Sequence, residues 1–209
     1  GIAVRSYGSR VGEEPRRTLR FDWTESLLPA YAWYFPASGS SVNIGLGMVS
    51  SDRKRTGTNL KEHLSVYLQS LKEEGVDFSE PSEIATYTLP HGGRLPQLAH
   101  GNFILIGDAG SMINPLSGEG IFYAMAAGSI LGQTIAEMGE GQPPSRILKL
   151  VEKRFKKRFH THFRSNYVAS ILLRSRRWAE TAIRAASKDE VVISDAAELS
   201  CVVSMLWTP

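Results

Sequence analysis

The sequence predicts an α+β protein in which a sheet-rich region precedes a helical region. Strand-forming residues dominate positions 1–50, an amphipathic helical pattern begins at Asn59, and helical patterns dominate beyond residue 120. The chain has 209 residues, of which 42% are hydrophobic and 22% charged. That is long enough and apolar enough to bury a core, and it excludes disordered and collagen-like structure.

The first strands are predicted around an aromatic hairpin. Tyr31–Phe35 is aromatic and extended, and Ser41–Ile44 alternates polar and apolar residues. The connection from Ala37 to Ser41 contains Gly39, which is typical of a hairpin turn. Residues 50–57 show no helical periodicity, so no helix is predicted there.

A helix is predicted from Asn59 to Gly75. Asn59 and Glu62 form a capping-box pattern, and Gly75 stands where a helix C-terminal cap belongs. One apolar stripe follows the helix: Leu60, Leu64, Tyr67, Leu68 and Leu71. The next predicted strand is Ile84–Leu89.

A short apolar run then leads into a loop and a helix of small residues. Asn102–Ile106 is continuous and apolar, which suits a central strand buried on both faces. Residues 121–138 are apolar and small, but two glycines, Ser129 and Gln133 make them only weakly hydrophobic. We expect a buried helix packed closely against a sheet rather than a membrane span.

The segment from 146 to 177 is strongly basic. It carries 11 Lys or Arg residues and a single acid, Glu152. An apolar residue recurs every fourth position, which predicts a core-facing stripe: Val151, Phe155, Phe159, Phe163, Tyr167 and Ile171. The outer face is then cationic, and it is interpreted either as a solvated face or as a peripheral contact with an anionic membrane. No known nucleic-acid-binding motif accompanies it, so no nucleic acid partner is predicted.

The strongest chemical signal follows the apolar run. Gly107-Asp108-Ala109-Gly110 is followed by Pro115-Leu-Ser-Gly118-Glu119-Gly120 and then by the small-residue helix. A carboxylate after a strand can accept hydrogen bonds from sugar-type hydroxyls. The amides of Gly118, Glu119 and Gly120, close to a helix N-terminus, can hold partial negative charge.

The run from Gly107 to Ile121 resembles the second flavin motif of FAD-dependent oxidoreductases with the p-hydroxybenzoate hydroxylase fold. Within that group, Tyr31-Ala-Trp33-Tyr-Phe35-Pro36 with Val42-Asn-Ile-Gly45-Leu-Gly47 is similar to the geranylgeranyl reductases. The resemblance implies an FAD-dependent enzyme that reduces isoprenoid C=C bonds of a prenyl lipid or quinone by hydride transfer from reduced flavin. NAD(P)H or another reductant would donate the electrons.

The resemblance also implies roles for particular residues. Asp108 would bond a ribityl hydroxyl of FAD, and the loop after it would lie beside the N1/O2 edge of the isoalloxazine ring. Seven positions are assigned to cofactor binding: Gly107, Asp108, Pro115, Gly118, Glu119, Gly120 and Ile121.

Tyr31, Trp33 and Phe35 would line an apolar slot for the prenyl chain, although strand alternation fits ordinary core aromatics equally well. Arg94, in a polar loop before the Gly-Asp motif, is interpreted as a contact for a substrate headgroup or a cofactor phosphate, or as part of a plain surface loop. No catalytic side chain is assigned. The five histidines show no metal-ligand spacing, so no metal is predicted.

Three regions are predicted: a sheet-rich substrate region at 1–98, the C-terminal part of the FAD-binding domain at 99–140, and a helical region at 141–209. Members of this family begin with a strand, a Gly-x-Gly-x-x-Gly turn and a helix, and nothing of that kind precedes Gly1. We therefore expect a C-terminal portion that lacks its N-terminal half and holds FAD poorly by itself.

Two alternatives stay open: a flavin monooxygenase or halogenase on the same scaffold, or a non-catalytic fragment without FAD. The single cysteine, Cys201, cannot form an internal disulfide, and no signal peptide is recognisable. The corresponding expectation is a cytoplasmic protein, either free or peripherally attached to the membrane.

Overall fold

The computed structural model confirms the α+β class and divides the chain into two compact units, Gly1–Leu89 and Pro90–Pro209. The residues that it describes are 1–11, 19–79, 81–90, 97–192 and 194. The interpretation of Arg94 therefore lies outside the described residues. The three-region division at 98 and 140 stays a prediction.

The first unit contains a five-stranded antiparallel sheet with the order β2-β3-β4-β1-β5. Its strands are β1 (Ile2–Ser9), β2 (Arg20–Asp22), β3 (Ala32–Pro36), β4 (Ser41–Met48) and β5 (Ala85–Thr88). The predicted hairpin is confirmed: the Ala37 N–H donates to the Ser41 carbonyl at 2.8 Å, and Gly39 has φ 62°. Because β1 lies between β4 and β5, the sheet brings both ends of the unit together.

One face of this sheet carries the core of the first unit beneath helix α2 (Leu60–Glu73). The Asn59 side chain accepts the Glu62 N–H at 3.5 Å, so the predicted helix start is confirmed. Gly75 follows the helix with φ 84°, a left-handed backbone conformation that favours glycine. A short helix, α1 (Ser50–Thr56), precedes α2, and the sequence misses it because its seven residues carry no apolar stripe.

The second unit is built mainly from helices α3 (Ile121–Met138), α4 (Pro144–Leu172) and α5 (Arg176–Ala186). The bounds of α3 agree with the prediction, but its predicted packing is wrong. One side of α3 packs on α4, where Tyr123 contacts Phe159 and Phe163, and the other side leaves Ile121 77% exposed. No helix within the described ranges is both long and apolar enough to cross a membrane.

The apolar stripe of α4 is correct in its first four positions and wrong in its last two. Val151 to Phe163 are buried, whereas Tyr167 and Ile171 are exposed and Asn166 and Ser170 are buried instead. The reason is geometric: a spacing of four exceeds the 3.6-residue turn, so the stripe drifts by about 40° per step. After four steps the drift has carried Tyr167 off the contact with α3.

The apolar run Asn102–Ile106 does not form a central strand. It contributes only β7 (Phe103–Ile104), which pairs with β6 (Ala99–His100) in a two-stranded hairpin, and Phe103 is 73% exposed. A strand buried on both faces needs neighbouring strands on either side. Within the described residues β7 has only β6 beside it.

Candidate functional site

The Gly-Asp motif forms a tight turn directly after β7. Gly107–Gly110 is a single 3₁₀ turn, and Gly107 has φ 65°. A Cβ on Gly110 would lie 2.6 Å from the Leu105 carbonyl oxygen, so a side chain there would displace backbone. The turn leaves the Asp108 side chain exposed, as an acceptor for a ligand hydroxyl requires.

The loop after the turn is closed on itself by hydrogen bonds of Asn114. Its N–H donates to the Glu119 carbonyl at 2.7 Å, and its carbonyl accepts the Gly118 N–H at 3.0 Å. Its side-chain Oδ1 accepts the N–H groups of Leu116 at 2.8 Å and Ser117 at 3.1 Å. The conformation from Asn114 to Glu119 is therefore fixed by the backbone and the buried side chain of Asn114 together, and Gly118 adopts φ 73° within it.

The amides of this loop are not all available to a ligand. Gly118 donates to Asn114, and the Glu119 N–H donates to Ser117 Oγ at 3.3 Å. The N–H groups of Gly120 and Ile121 have no hydrogen-bond acceptor among the described residues. They lie at the N-terminus of α3, where the helix dipole favours negative charge. The available donors are thus shifted towards the helix relative to the predicted set.

Glu119 connects the loop to α3. Its Oε1 accepts the Phe122 N–H at 2.6 Å, which caps the helix. Its Oε2 is buried and has no hydrogen-bond partner among the described residues. A buried carboxylate oxygen without a partner is costly, so this atom marks a place where a further donor fits.

A buried polar network supports the loop from behind. Asn114 Nδ2 donates to Tyr123 Oη at 2.8 Å, and Tyr123 Oη lies 2.7 Å from His162 Nε2 on α4. Asn114 and Tyr123 are both fully buried. The direction of the bond between Tyr123 Oη and His162 Nε2 depends on the imidazole tautomer, and donation by the phenol requires a neutral imidazole with an unprotonated Nε2. Burial lowers the pKa of His162, which favours this neutral form.

Sequence reasoning missed this network because His162 was considered only for metal spacing. The available signal was its position three residues after Phe159, which places it on the inward side of α4. In the part of the chain that is described, no group of three His, Cys, Asp or Glu side chains could hold a metal ion.

The predicted substrate aromatics lie on the sheet face opposite the core. Tyr31, Trp33 and Phe35 stand in a row, with ring centroids 6.2 Å and 6.0 Å apart in turn. Ala32 and Tyr34 are the residues that point into the core, so the three aromatics are not core residues. They remain half-buried on an open face.

Phe21 and Trp23 extend this row. The ring centroid of Phe21 lies 5.2 Å from that of Tyr31 and 5.0 Å from that of Phe35. The ring centroid of Trp23 lies 5.9 Å from that of Tyr31. The sequence does not reveal them because β2 has only three residues. We call the set the aromatic face: Phe21, Trp23, Tyr31, Trp33 and Phe35.

Trp33 is held flat across the neighbouring strand. Its Nε1 donates to Asn43 Oδ1 at 2.9 Å, and a Cβ on Gly45 would lie 2.4 Å from Trp33 Cζ2. Gly45 is therefore needed for the indole to lie over β4. This contact explains why a glycine stands in the middle of a buried strand.

Several curated proteins with similar sequences are named as reductases. The chain is 33% identical to menaquinone reductase of Mycobacterium tuberculosis over 139 residues, which are 65% of this chain and 34% of that protein. It is 31% identical to menaquinone reductase of Mycolicibacterium smegmatis over 163 residues, or 76% of this chain and 40% of that protein. The chain is 32% identical to the digeranylgeranylglycerophospholipid reductase of Methanococcus aeolicus over 147 residues, which are 69% of this chain and 36% of that protein. No family model matches.

Among solved structures, a geranylgeranyl bacteriochlorophyll reductase-like protein of Thermoplasma acidophilum superposes with a TM-score of 0.73 at 22% identity, over 98% of this chain and 53% of that one. The resemblance to the geranylgeranyl reductases is therefore confirmed. The FAD-dependent myxobacterial chondrochloren halogenase shares the fold, with a TM-score of 0.61 at 16% identity over 96% of this chain and 49% of that one. The chain spans about a third of the length of the first curated relatives it matches.

The residues of the Asp108 turn and of the loop after it fit an FAD. The exposed Asp108 carboxylate is an acceptor for hydroxyls, and the Gly120 and Ile121 amides are donors for an electron-rich ring edge. Gly110 permits close backbone packing at the turn, and Glu119 Oε2 still lacks a donor. The donor and acceptor types therefore match the ribityl chain and the N1/O2 edge of a flavin.

Proposed function

We propose that the protein is an FAD-dependent reductase that saturates isoprenoid double bonds of a prenyl lipid or quinone. The observation that carries the proposal is the closed loop Asn114–Glu119, which presents two amides at the N-terminus of α3 next to the Asp108 turn. The reductase names of the sequence relatives support the same reaction class.

The chain's own residues bind and orient the cofactor. Asp108 accepts a hydrogen bond from the ribityl chain, and the amides of Gly120 and Ile121 stabilise negative charge at the N1/O2 edge. When bound and reduced, FAD would supply the hydride for the double bond, a proton from solvent or a protein acid would complete the saturation, and NAD(P)H or another reductant would return the flavin to its reduced form. Gly107, Pro115 and Gly118 shape the backbone between these contacts, and Glu119 caps the helix that carries the amides.

The aromatic face binds the apolar substrate in this proposal. Five rings on one side of a sheet offer a dry surface that a prenyl chain can cover, and burying such a chain is favourable by about 25 cal/mol per Å². The relatives' names, a menaquinone reductase and a digeranylgeranylglycerophospholipid reductase, support a lipid or quinone substrate.

The outer face of α4 suits contact with an anionic membrane that holds such a lipid. Its exposed side chains include five cations: Lys149, Lys153, Lys156, Lys157 and Arg164. Basic side chains near an anionic bilayer surface contribute about 1 kcal/mol each. The proposal predicts that anionic vesicles bind the protein and that added salt releases it.

Anaerobic turnover tests the proposed reaction. The full-length gene product is incubated with reductant and a prenyl lipid under nitrogen and under air, and the products are analysed by mass spectrometry. A reductase adds two hydrogens to the lipid in both atmospheres. A product that carries oxygen or halogen and forms only in air contradicts the proposal and supports the monooxygenase or halogenase alternative.

A further inference from the structure

One arginine borders the aromatic face. Arg5 on β1 is paired in register with Gly45 on β4, and Gly45 is paired in turn with Trp33 on β3. The three residues form one row across the sheet, on the side opposite the core. Adjacent strands lie about 4.8 Å apart, so the backbones of Arg5 and Trp33 are separated by about 10 Å.

The space between them is occupied by the Trp33 indole, because the ring lies directly over Gly45. Apolar ring surface therefore continues from β2 to β4, and beyond it the Arg5 guanidinium lies against Tyr7 on β1 and Tyr87 on β5. A surface that is aromatic along its length and cationic at one edge matches a molecule with an apolar chain and an anionic end.

Two tyrosines hold the Arg5 guanidinium in place. Its Cζ lies 4.5 Å from the Tyr7 ring centroid and 5.0 Å from the Tyr87 ring centroid, and its Nη2 donates to Tyr87 Oη at 3.0 Å. These contacts fix the group and reduce the entropy lost when a ligand binds.

The charge of Arg5 is not neutralised by a neighbour. Within the described ranges no carboxylate forms a salt bridge with it. A guanidinium has five N–H donors, and the contact with Tyr87 uses one of them. Arg5 thus keeps donors in the forked geometry that matches a phosphate group.

We propose that Arg5, held by Tyr7 and Tyr87, binds the phosphate headgroup of a prenyl lipid whose chain lies on the aromatic face. The inference rests on the proposed function for the apolar chain and adds the recognition of the headgroup. The aromatic rings by themselves do not discriminate a prenyl phosphate from a prenyl alcohol. Arg5 supplies that discrimination because only the phosphate accepts its charged hydrogen bonds.

Ligand pairs of equal chain length test this assignment in the full-length gene product. Dissociation constants for geranylgeranyl phosphate, geranylgeraniol and inorganic phosphate are measured by quenching of tryptophan fluorescence, since Trp23 and Trp33 lie on the aromatic face. The wild-type protein is expected to bind the prenyl phosphate at least 10-fold more tightly than the alcohol, and inorganic phosphate far more weakly than either.

Substitution of Arg5 separates recognition from folding. Arg5→Gln is expected to weaken binding of the prenyl phosphate by about 10- to 100-fold and to leave binding of the alcohol within about twofold. Arg5→Lys retains the charge without the fork and restores part of the affinity. Tyr87→Phe keeps the ring but removes the hydrogen bond to Arg5, and it weakens phosphate binding by about two- to fivefold. Arg53→Gln, an exposed arginine on α1, is the matched control and leaves both affinities unchanged.

Three results would overturn the inference. An Arg5→Gln protein that loses affinity equally for both prenyl ligands assigns Arg5 a structural role, and one that loses none assigns it no role. If inorganic phosphate binds as tightly as the prenyl phosphate, Arg5 belongs to a site for free anions and not to a lipid headgroup site. If Arg5→Gln does not fold, as judged by circular dichroism, Tyr87→Phe decides by the same comparison.

Failure of the proposed function has a different signature. In that case the wild-type protein contains no flavin and binds neither prenyl ligand. If it contains flavin and reduces geranylgeraniol while Arg5→Gln changes nothing, only the headgroup assignment fails.

Discussion

The loop before α3 and the aromatic face of the sheet are stabilised in different ways. The loop depends on directed hydrogen bonds, most of which involve the backbone or the buried side chain of Asn114. The aromatic face depends on ring packing, where each ring has two or three neighbours. A single substitution is therefore expected to destabilise the polar loop strongly, whereas the packing energy of the aromatic face is distributed over several rings.

The largest expected effect comes from removing the centre of the polar network. Asn114→Ala removes the acceptor of the Leu116 and Ser117 amides and the donor to Tyr123 Oη, and the free energy of unfolding is expected to fall by about 3 kcal/mol. Urea unfolding of the purified protein measures it. Asn114→Asp, which retains Oδ1, is expected to lose less. A loss below about 1 kcal/mol in Asn114→Ala would show that the loop does not depend on this side chain.

The next largest effect tests the aromatic face at its tightest contact. Gly45→Ala places a methyl group 2.4 Å from Trp33 Cζ2 and 2.6 Å from the Val4 carbonyl oxygen, so the indole must move. We expect the free energy of unfolding to fall by about 2 kcal/mol and the wavelength of tryptophan fluorescence emission to shift. Gly47→Ala is the matched control on the same strand, because its nearest neighbour would be 3.6 Å away. Equal stability losses in the two variants would contradict the assigned contact.

The smallest effect concerns pH. Burial lowers the pKa of His162 below its ordinary value of 6.5, so the unfolded chain binds more protons than the native state below that pH. The stability contributed by neutral His162 is complete above pH 6.5 and is lost as the pH falls towards the lower native pKa. Urea unfolding at pH 7.5 and 5.5 is expected to show a weaker pH dependence in His162→Gln than in the wild type.

His160→Gln controls for histidine content, because His160 is an exposed residue on the same helix. It is expected to retain the wild-type pH dependence. If both variants reduce the pH dependence of the unfolding free energy equally, the buried hydrogen bond between His162 and Tyr123 is not the source of that dependence.

Local signals explain what could be predicted from the sequence. The start of α2 follows from the Asn59 cap, the bounds of α3 from a run of small and apolar residues, and the β3–β4 hairpin from Gly39. The Gly107–Gly120 loop was recognisable because its glycines are required by backbone geometry, as at Gly110.

The features that sequence reasoning missed depend on distant residues. Tyr123 and His162 are 39 positions apart, and only the packing of α3 on α4 brings them together. The drift of the α4 stripe is likewise settled by which side of the helix meets α3, and the exposure of Phe103 by the absence of a second neighbour for β7 within the described residues. Periodicity identifies an element but not its partner.

The most direct test of the central claim is the visible absorption spectrum of the full-length gene product and its Asp108→Ala variant, with Asp77→Ala as an exposed control. The account predicts flavin bands in the wild type and in Asp77→Ala, and little or no flavin in Asp108→Ala, because that substitution removes the acceptor for the ribityl hydroxyl. Undiminished flavin in Asp108→Ala would contradict the assignment of this loop as the cofactor site.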